Sequence, residues 1–173
     1  MILLCTFFSV LIISILFADI IFFDKSFASG DTLNPYAASN ILDQSKSLLN
    51  EWPQWQPWIF SGMPSLESFT YVNLLYTPSY ILNEIGFSDI SIQFLHLMFT
   101  AIGMYLLINK LISKRYISII VSMLWIMNPF LITMIVFGHG SQMMTASFFP
   151  WILYSLILLN LSLIHISEPT RRT

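Results

Sequence analysis

Charged residues are scarce in this sequence. Of its 173 residues, 9% are Asp, Glu, Lys or Arg, whereas 56% are hydrophobic and 16% are aromatic. An average soluble domain has about 25% charged residues. The composition therefore excludes an ordinary soluble domain, a disordered chain and a nucleic-acid-binding protein. An integral membrane protein, with membrane lipid as its first partner, is the class that fits.

Cysteine and the motifs of soluble enzymes are also missing. The single cysteine, Cys5, lies in an apolar run, so the chain has no disulfide framework. The sequence has no phosphate-binding glycine loop, no His or Cys cluster with zinc spacing and no nucleophile elbow. Such motifs therefore assign no chemistry to this protein.

Long runs without charge are what the sequence has instead. A helix needs about 20 apolar residues to cross the hydrocarbon of a bilayer, and two of the three uncharged runs fit one span each, while the third fits two. We therefore predict an all-α, polytopic transmembrane protein. Its four spans are expected at residues 2–18, 90–109, 117–136 and 146–164.

Basic residues give the expected orientation. The connection between the second and third spans contains Lys110, Lys114 and Arg115, whereas residues 138–142, between the third and fourth spans, contain no basic residue. Because short cytoplasmic loops are enriched in Lys and Arg, the N-terminus is expected inside and residues 19–89 outside. This external loop contains eight of the nine acidic residues and two lysines.

The two ends of the chain each raise an alternative. The first span is interpreted as an uncleaved anchor that ends at residue 18 or, as an alternative, extends to Phe23. A cleaved signal peptide is the competing interpretation. The missing basic flank of this span suggests a true start upstream. Residues 161–171 resemble one reading frame of the transposon-end adapter of sequencing libraries. We therefore interpret residues 1–160 as the N-terminal portion of a larger protein and residues 161–173 as a non-native tail.

The external loop is predicted to contain an amphipathic helix on the membrane surface. Asn34 followed by Pro35 predicts an N-cap with proline at the first helical position, and apolar residues recur at helical spacing. The expected helix covers residues 35–50. Asp31 then precedes the helix and is free to face a cleft. The alternative is a carboxylate that is solvated or that complements the helix dipole.

Three tryptophans follow at intervals of three residues, and the intervening prolines prevent a regular helix. These tryptophans are Trp52, Trp55 and Trp58. Trp is favoured at the water–lipid boundary, so the stretch is either an interfacial anchor or an aromatic wall for a sugar or lipid-linked ligand. Residues 61–64 predict a tight turn. Residues 66–82 predict either short interfacial helices or a re-entrant stretch.

Two histidines lie in the apolar part of the chain. His139 lies between two glycines on the predicted outer face, with Gln142 nearby, and is either a ligand contact or an exposed turn residue. His96 lies within the second span, where an ionisable group is functional or is bonded to a neighbouring helix. Residues 128–129, Asn-Pro, predict a kink.

These motifs together resemble a known family. The external Gly30-Asp31, the Trp-Gln-Pro-Trp-Ile-Phe-Ser-Gly-Met-Pro stretch at 55–64 and the Gly-His-Gly-Ser-Gln stretch at 138–142 are similar to the N-terminal part of YfhO-like bacterial membrane proteins. That family is similar in turn to the GT-C glycosyltransferases. Those enzymes transfer a sugar from a polyprenyl-phosphate carrier at the outer face of the bacterial cytoplasmic membrane.

The resemblance implies roles for particular residues. Asp31 matches the acidic residue that acts at the acceptor or at a divalent metal, so it is the candidate base or metal contact. Asp24 and Glu51 are held in reserve for the acidic role. The donor is expected to be a polyprenyl-phosphate sugar and the acceptor a component of the cell envelope. The expected substrate-binding residues are Trp52, Trp55, Trp58, His139 and Gln142.

A non-catalytic membrane protein is the competing interpretation, either a transporter portion or a polymer-export scaffold. Transport predicts polar groups in midplane cavities and interrupted spans in paired positions, whereas a transferase predicts polar groups at the outer boundary. The acids, tryptophans and His139 of the predicted outer side favour the transferase. The fragment as written is expected to be inactive alone.

Overall fold

The computed structural model describes residues 1–23, 25–28, 30–51, 53–57, 61–65 and 77–167, and for residues 30–39 and 160–167 it describes the backbone alone. The described chain is mostly helical, in agreement with the predicted class. Its helices are α1 (Ile2–Leu16), α2 (Ala18–Phe23), α3 (Gly30–Leu49), α4 (Thr77–Glu84), α5 (Asp89–Ile112), α6 (Arg115–Ile126), α7 (Pro129–Val136), α8 (Gly140–Ala146) and α9 (Phe149–Ser167). Two short strands, β1 (Trp55–Gln56) and β2 (Met63–Pro64), pair antiparallel.

Three segments of the described chain are long and apolar enough to cross a membrane. They are Asp89–Ile112, Arg115–Val136 and Gly140–Leu159. The fourth apolar helix, α1, has 15 residues and is therefore about 22 Å long, less than the roughly 30 Å of hydrocarbon. The N–H groups of Ile20 and Ile21 bond to the carbonyl of Phe17 at 3.0 Å. Helical hydrogen bonding thus resumes in α2, which covers the residues between the predicted span and Phe23.

The predicted kink at residues 128–129 is confirmed. Helix α6 ends at Ile126, and the Asn128 side chain accepts a hydrogen bond from the N–H of Phe130 at 2.9 Å. Pro129 is the first residue of α7, where a missing N–H costs nothing because the first N–H groups of a helix have no intrahelical partner.

The last of the three apolar segments begins at Gly140, earlier than the predicted start at residue 146. Residues 140–142, expected in a turn, are the first residues of α8, which leaves Phe137–His139 as the connection to α7. Gly138 has φ +89°, a conformation that glycine adopts without steric cost. This single left-handed residue reverses the chain within a short connection, and the helix resumes at Gly140.

Helix α5 lies at the centre of the packing and contacts α1, α6, α8 and α9. Cys5 Sγ lies 3.8 Å from the carbonyl of Ala101, and the Phe17 ring lies 4.8 Å from the ring of Phe94. Because residue numbers rise along α1 as they fall along α5, the two helices are antiparallel. The start of α1 therefore lies toward the Lys110 end of α5, as the predicted topology requires.

The helix bundle has two chemically distinct ends. At the basic end, defined by Lys110, Lys114 and Arg115, all three side chains are exposed. The acidic end, defined by Asp19, Asp89 and the α7–α8 connection, lies at the other end of α5. A buried apolar cluster lies near the acidic end and contains Ile13, Phe17, Leu97, Leu131, Ile135 and Met143.

The prediction for the external helix was wrong at its start. Helix α3 begins at Gly30 rather than at residue 35, so Asn34 is not its N-cap and Asp31 lies in its first turn. A carboxylate in the first turn is stabilised by the positive end of the helix dipole, whereas Pro35 then lies inside the helix, where it removes one backbone hydrogen bond. On the rest of α3, Leu42 is 1% exposed whereas Leu48 is 85% exposed.

Candidate functional site

The acidic candidates do not all lie together. Asp31 lies in the first turn of α3, with its side chain outside the described part, while Asp24 lies outside the described residues altogether. Glu51 is exposed just beyond the other end of α3. From Asp31 to Leu49 the helix rises about 27 Å, and two further residues return at most about 7 Å. One substrate-sized site therefore holds Asp31 or Glu51, and not both.

Of the three candidate tryptophans, Trp55 lies within the described residues, whereas Trp52 and Trp58 lie outside them. Trp55 pairs with Pro64 in the hairpin and is 54% exposed. The predicted tight turn is confirmed, because Ser61 and Gly62 have φ of 65° and 117°. The shared cleft of Asp31, His139 and the tryptophans stays a prediction.

Gly62 explains part of the tryptophan motif. A Cβ atom added at Gly62 would lie 2.6 Å from Cζ2 of Trp55 and 2.9 Å from its Nε1. The indole therefore covers the glycine backbone, and a side chain at residue 62 would displace it. The hairpin brings the two residues together, which spacing in the sequence did not reveal.

We expect Gly62→Ala to open this hairpin. A non-glycine residue at this φ costs about 1–3 kcal/mol, and the added methyl group also displaces Trp55. Hydrogen exchange of the Ser65 N–H, which bonds to Gln54 O at 3.0 Å, should become faster. Gly86→Ala is the matched control, because Gly86 has φ +96° and open space around it. An unchanged Ser65 exchange rate in Gly62→Ala would contradict the contact.

The Gly-His-Gly motif packs against the first turns of α5, at the acidic end. His139 is half-buried, and its N–H bonds to the carbonyl of Met134 at 2.7 Å. A Cβ atom at Gly140 would lie 2.2 Å from Nε2 of Gln93, so Gly140 admits this amide by having no side chain. Gln142 is exposed on the next turn. The motif thus forms a close junction between α8 and α5.

Gln93 and Asp19 are polar residues of the acidic end that sequence reasoning missed. Gln93 Oε1 is buried and has no hydrogen-bond partner among the described residues. Asp19 lines a shallow cavity of about 280 Å³ that is open to the surface beside the α1–α2 junction. A second and more open cavity, of about 380 Å³, lies around Asn83 and Asp89. The sequence did contain signals for both residues. Gln93 is a polar residue early in a predicted span, and Asp19 is an acidic residue at the end of another.

Polar groups deeper in the bundle bond to each other. His96 Nδ1 lies 2.8 Å from Ser147 Oγ, and the imidazole packs edge-on against Phe99 and Phe148. The Trp125 Nε1–H donates to Thr100 Oγ1 at 2.9 Å. Hydrogen bonds of this kind join helices within a membrane. For His96, the structure thus favours bonding to a neighbouring helix.

The described residues test neither the base role nor the metal role of Asp31. Among the described residues, no group of three or more His, Cys, Asp or Glu side chains is arranged to hold a metal ion. Since the Asp31 side chain is outside that set, its role as a metal contact stays a prediction. No protein-family model, curated protein or solved structure matches the chain.

Proposed function

We propose that this chain is part of a membrane glycosyltransferase of the GT-C type. The donor is a polyprenyl-phosphate sugar, the acceptor is a component of the cell envelope, and transfer takes place at the outer face of the bacterial cytoplasmic membrane. The acidic end of the bundle then faces outward and the basic end faces the cytoplasm, as the distribution of Lys and Arg favours. The resemblance to YfhO-like proteins supports this assignment through its motifs.

The gathering of polar groups and cavities at the acidic end is the observation that carries the proposal. Asp19, Asp89, Gln93 and His139 lie there together with both cavities. A lipid-linked sugar presents its head group at the membrane boundary and its chain to the hydrocarbon. An acidic end that borders apolar helices meets both requirements.

In the proposed reaction, Asp31 accepts a proton from the acceptor hydroxyl. The hydroxyl oxygen forms a bond to the anomeric carbon, and the bond from that carbon to the carrier phosphate breaks, with its electron pair leaving on the phosphate. General-base assistance of this kind accelerates a reaction by about 10²–10⁴-fold. Trp55, His139 and Gln142 are the described residues proposed to contact the sugar or its carrier.

A transporter portion is the second candidate, because transport predicts interrupted helices. The third and fourth spans are each broken, at Met127–Asn128 and at Ser147–Phe148. Broken helices in transporters expose backbone groups that bind substrate. Here Asn128 caps α7 and Ser147 bonds to His96, so side chains of the chain itself occupy both breaks. This arrangement favours helix packing over a transport path.

The two functions are separated by an assay on the complete open reading frame in oriented membrane vesicles. We expect a labelled polyprenyl-phosphate sugar to lose its label to an envelope polymer, and we expect the same rate in Lys110→Gln at the opposite end of the bundle. Label that remains on the carrier lipid, or that crosses the membrane with the carrier unchanged, would contradict the transferase.

A further inference from the structure

The cavity at the α1–α2 junction combines a charged rim with an apolar wall. Its polar lining consists of Asp19, Lys25 and Ser26. The wall is apolar and comes from α1, α2, α7 and the residues that follow α2. Its members are Leu16, Phe17, Ile20, Phe27, Ile132 and Val136. A ligand that fits must therefore carry charge at one end and hydrocarbon at the other.

The rim charges are held at a defined separation. Lys25 Nζ lies 3.0 Å from Asp19 Oδ1, and the Lys25 N–H bonds to the Asp19 carbonyl at 3.2 Å. The ammonium also lies 6.0 Å from the centre of the Phe23 ring, within reach of a cation–π interaction. The ion pair and the backbone hydrogen bond place one cation and one anion side by side at the mouth of the cavity.

This ion pair is open to an incoming head group. The Lys25 and Asp19 side chains are 62% and 68% exposed, and exposed pairs of this kind contribute about 0–1 kcal/mol. A ligand that carries both an anion and a cation replaces this ion pair with two new ion pairs, one with Lys25 and one with Asp19. The free energy lost with the original pair is small. A ligand with a single charge leaves one of the two residues facing a like charge or without its partner.

The cavity lies beside the first charged residue of the chain, because Asp19 follows a run of 18 uncharged residues. Apolar residues continue beyond Asp19 to the end of α2 at Phe23. A quaternary ammonium has no N–H group and so donates no hydrogen bond to Asp19, whose side chain is 68% exposed at the rim. A primary ammonium, which donates hydrogen bonds to a carboxylate, fits Asp19 better.

We propose that this cavity binds a zwitterionic phospholipid whose head group carries a phosphodiester and a primary ammonium. The phosphodiester lies against Lys25 and Ser26, the ammonium lies against Asp19, and an acyl chain lies along Ile20, Ile132 and Val136. The proposal is independent of sugar transfer, because it needs none of the candidate catalytic residues.

Lipid selection by the purified chain tests the proposal. The protein is extracted from bilayers with equal amounts of phosphatidylethanolamine, phosphatidylcholine and phosphatidylglycerol, and the lipids retained are counted by native mass spectrometry. We expect phosphatidylethanolamine to be enriched about two- to fivefold over the other two, which is the selectivity of one exposed charged contact. Lys25→Gln and Asp19→Asn should each lose this enrichment, whereas Lys25→Arg should keep it.

Matched charge removals at other places serve as controls. Lys114→Gln, at the basic end, and Asp43→Asn, exposed on α3, should leave the enrichment unchanged. Equal retention of the three lipids, a preference for phosphatidylcholine or phosphatidylglycerol, or full enrichment in both Lys25→Gln and Asp19→Asn would overturn the proposal. If soluble glycerophosphoethanolamine competes as strongly as the lipid does, the proposed contact between an acyl chain and the apolar wall is wrong.

Discussion

Replacing Asp31 by asparagine is expected to lower sugar transfer by the complete protein about 10²–10⁴-fold, the contribution of a positioned general base. The amide has nearly the same size as the carboxylate but does not accept the acceptor's proton. Asp31 lies in the first turn of α3, outside the three apolar segments. Membrane insertion, measured by protease protection in vesicles, should therefore be unchanged.

Asp43→Asn on the same helix is the control for this experiment. It removes one carboxylate from an exposed position of α3 and should leave the transfer rate unchanged. Full transfer by Asp31→Asn would show that the base lies elsewhere. Because Glu51 lies at the other end of α3, a loss in Glu51→Gln with full activity in Asp31→Asn would move the site by at least about 20 Å.

Gly103→Leu is expected to give the largest loss of stability in the helix bundle. A Cβ atom at Gly103 would lie 2.5 Å from Nε1 of Trp151. That indole cannot move cheaply, because it stacks on Phe99 at 4.8 Å and donates to the Phe99 carbonyl at 2.9 Å. Overpacking costs about 1–3 kcal/mol, and the broken interhelical hydrogen bond adds about 0.6 kcal/mol.

Thermal unfolding in detergent measures this loss. Ser155→Leu is the matched control, because Ser155 is exposed on α9, where leucine meets lipid or detergent. Adding Trp151→Ala to Gly103→Leu should recover part of the stability, since the leucine then occupies space that the indole has vacated. A Gly103→Leu protein as stable as the wild type would mean that α5 and α9 do not approach closely at this glycine.

Helix formation in the long uncharged runs was predictable because its cause is local, although three of the four predicted spans are long enough to cross a membrane in the described chain. Backbone polar groups in hydrocarbon must bond within their own segment, so a long uncharged run has few structures open to it. Helix α5 covers the predicted residues 90–109 and extends beyond them at both ends. Its own sequence explains those ends, since Ser88 accepts a hydrogen bond from Ser91 N–H at 3.3 Å and Ser113 is left-handed.

Helix starts in the external loop and after Gly138 were harder to predict. Asn34-Pro35 has the composition of a helix start, yet α3 begins at Gly30. Residues 140–142 have the composition of a turn, yet they are helical. In each case the residue types of a short polar motif fit more than one backbone conformation. Glycine at 140 is required by the approach of Gln93, a contact across 47 positions of chain.

Composition and the order of charged residues were sufficient to predict a helical, apolar chain with its basic turn apart from its acids. Each of these properties follows from a residue and its near neighbours. The contacts of Trp55 with Gly62, of Trp151 with Gly103 and of Lys25 with Asp19 depend instead on where the chain returns after a turn or a span. Such close approaches depend on packing in three dimensions, and apolar spacing along the chain does not encode their distances.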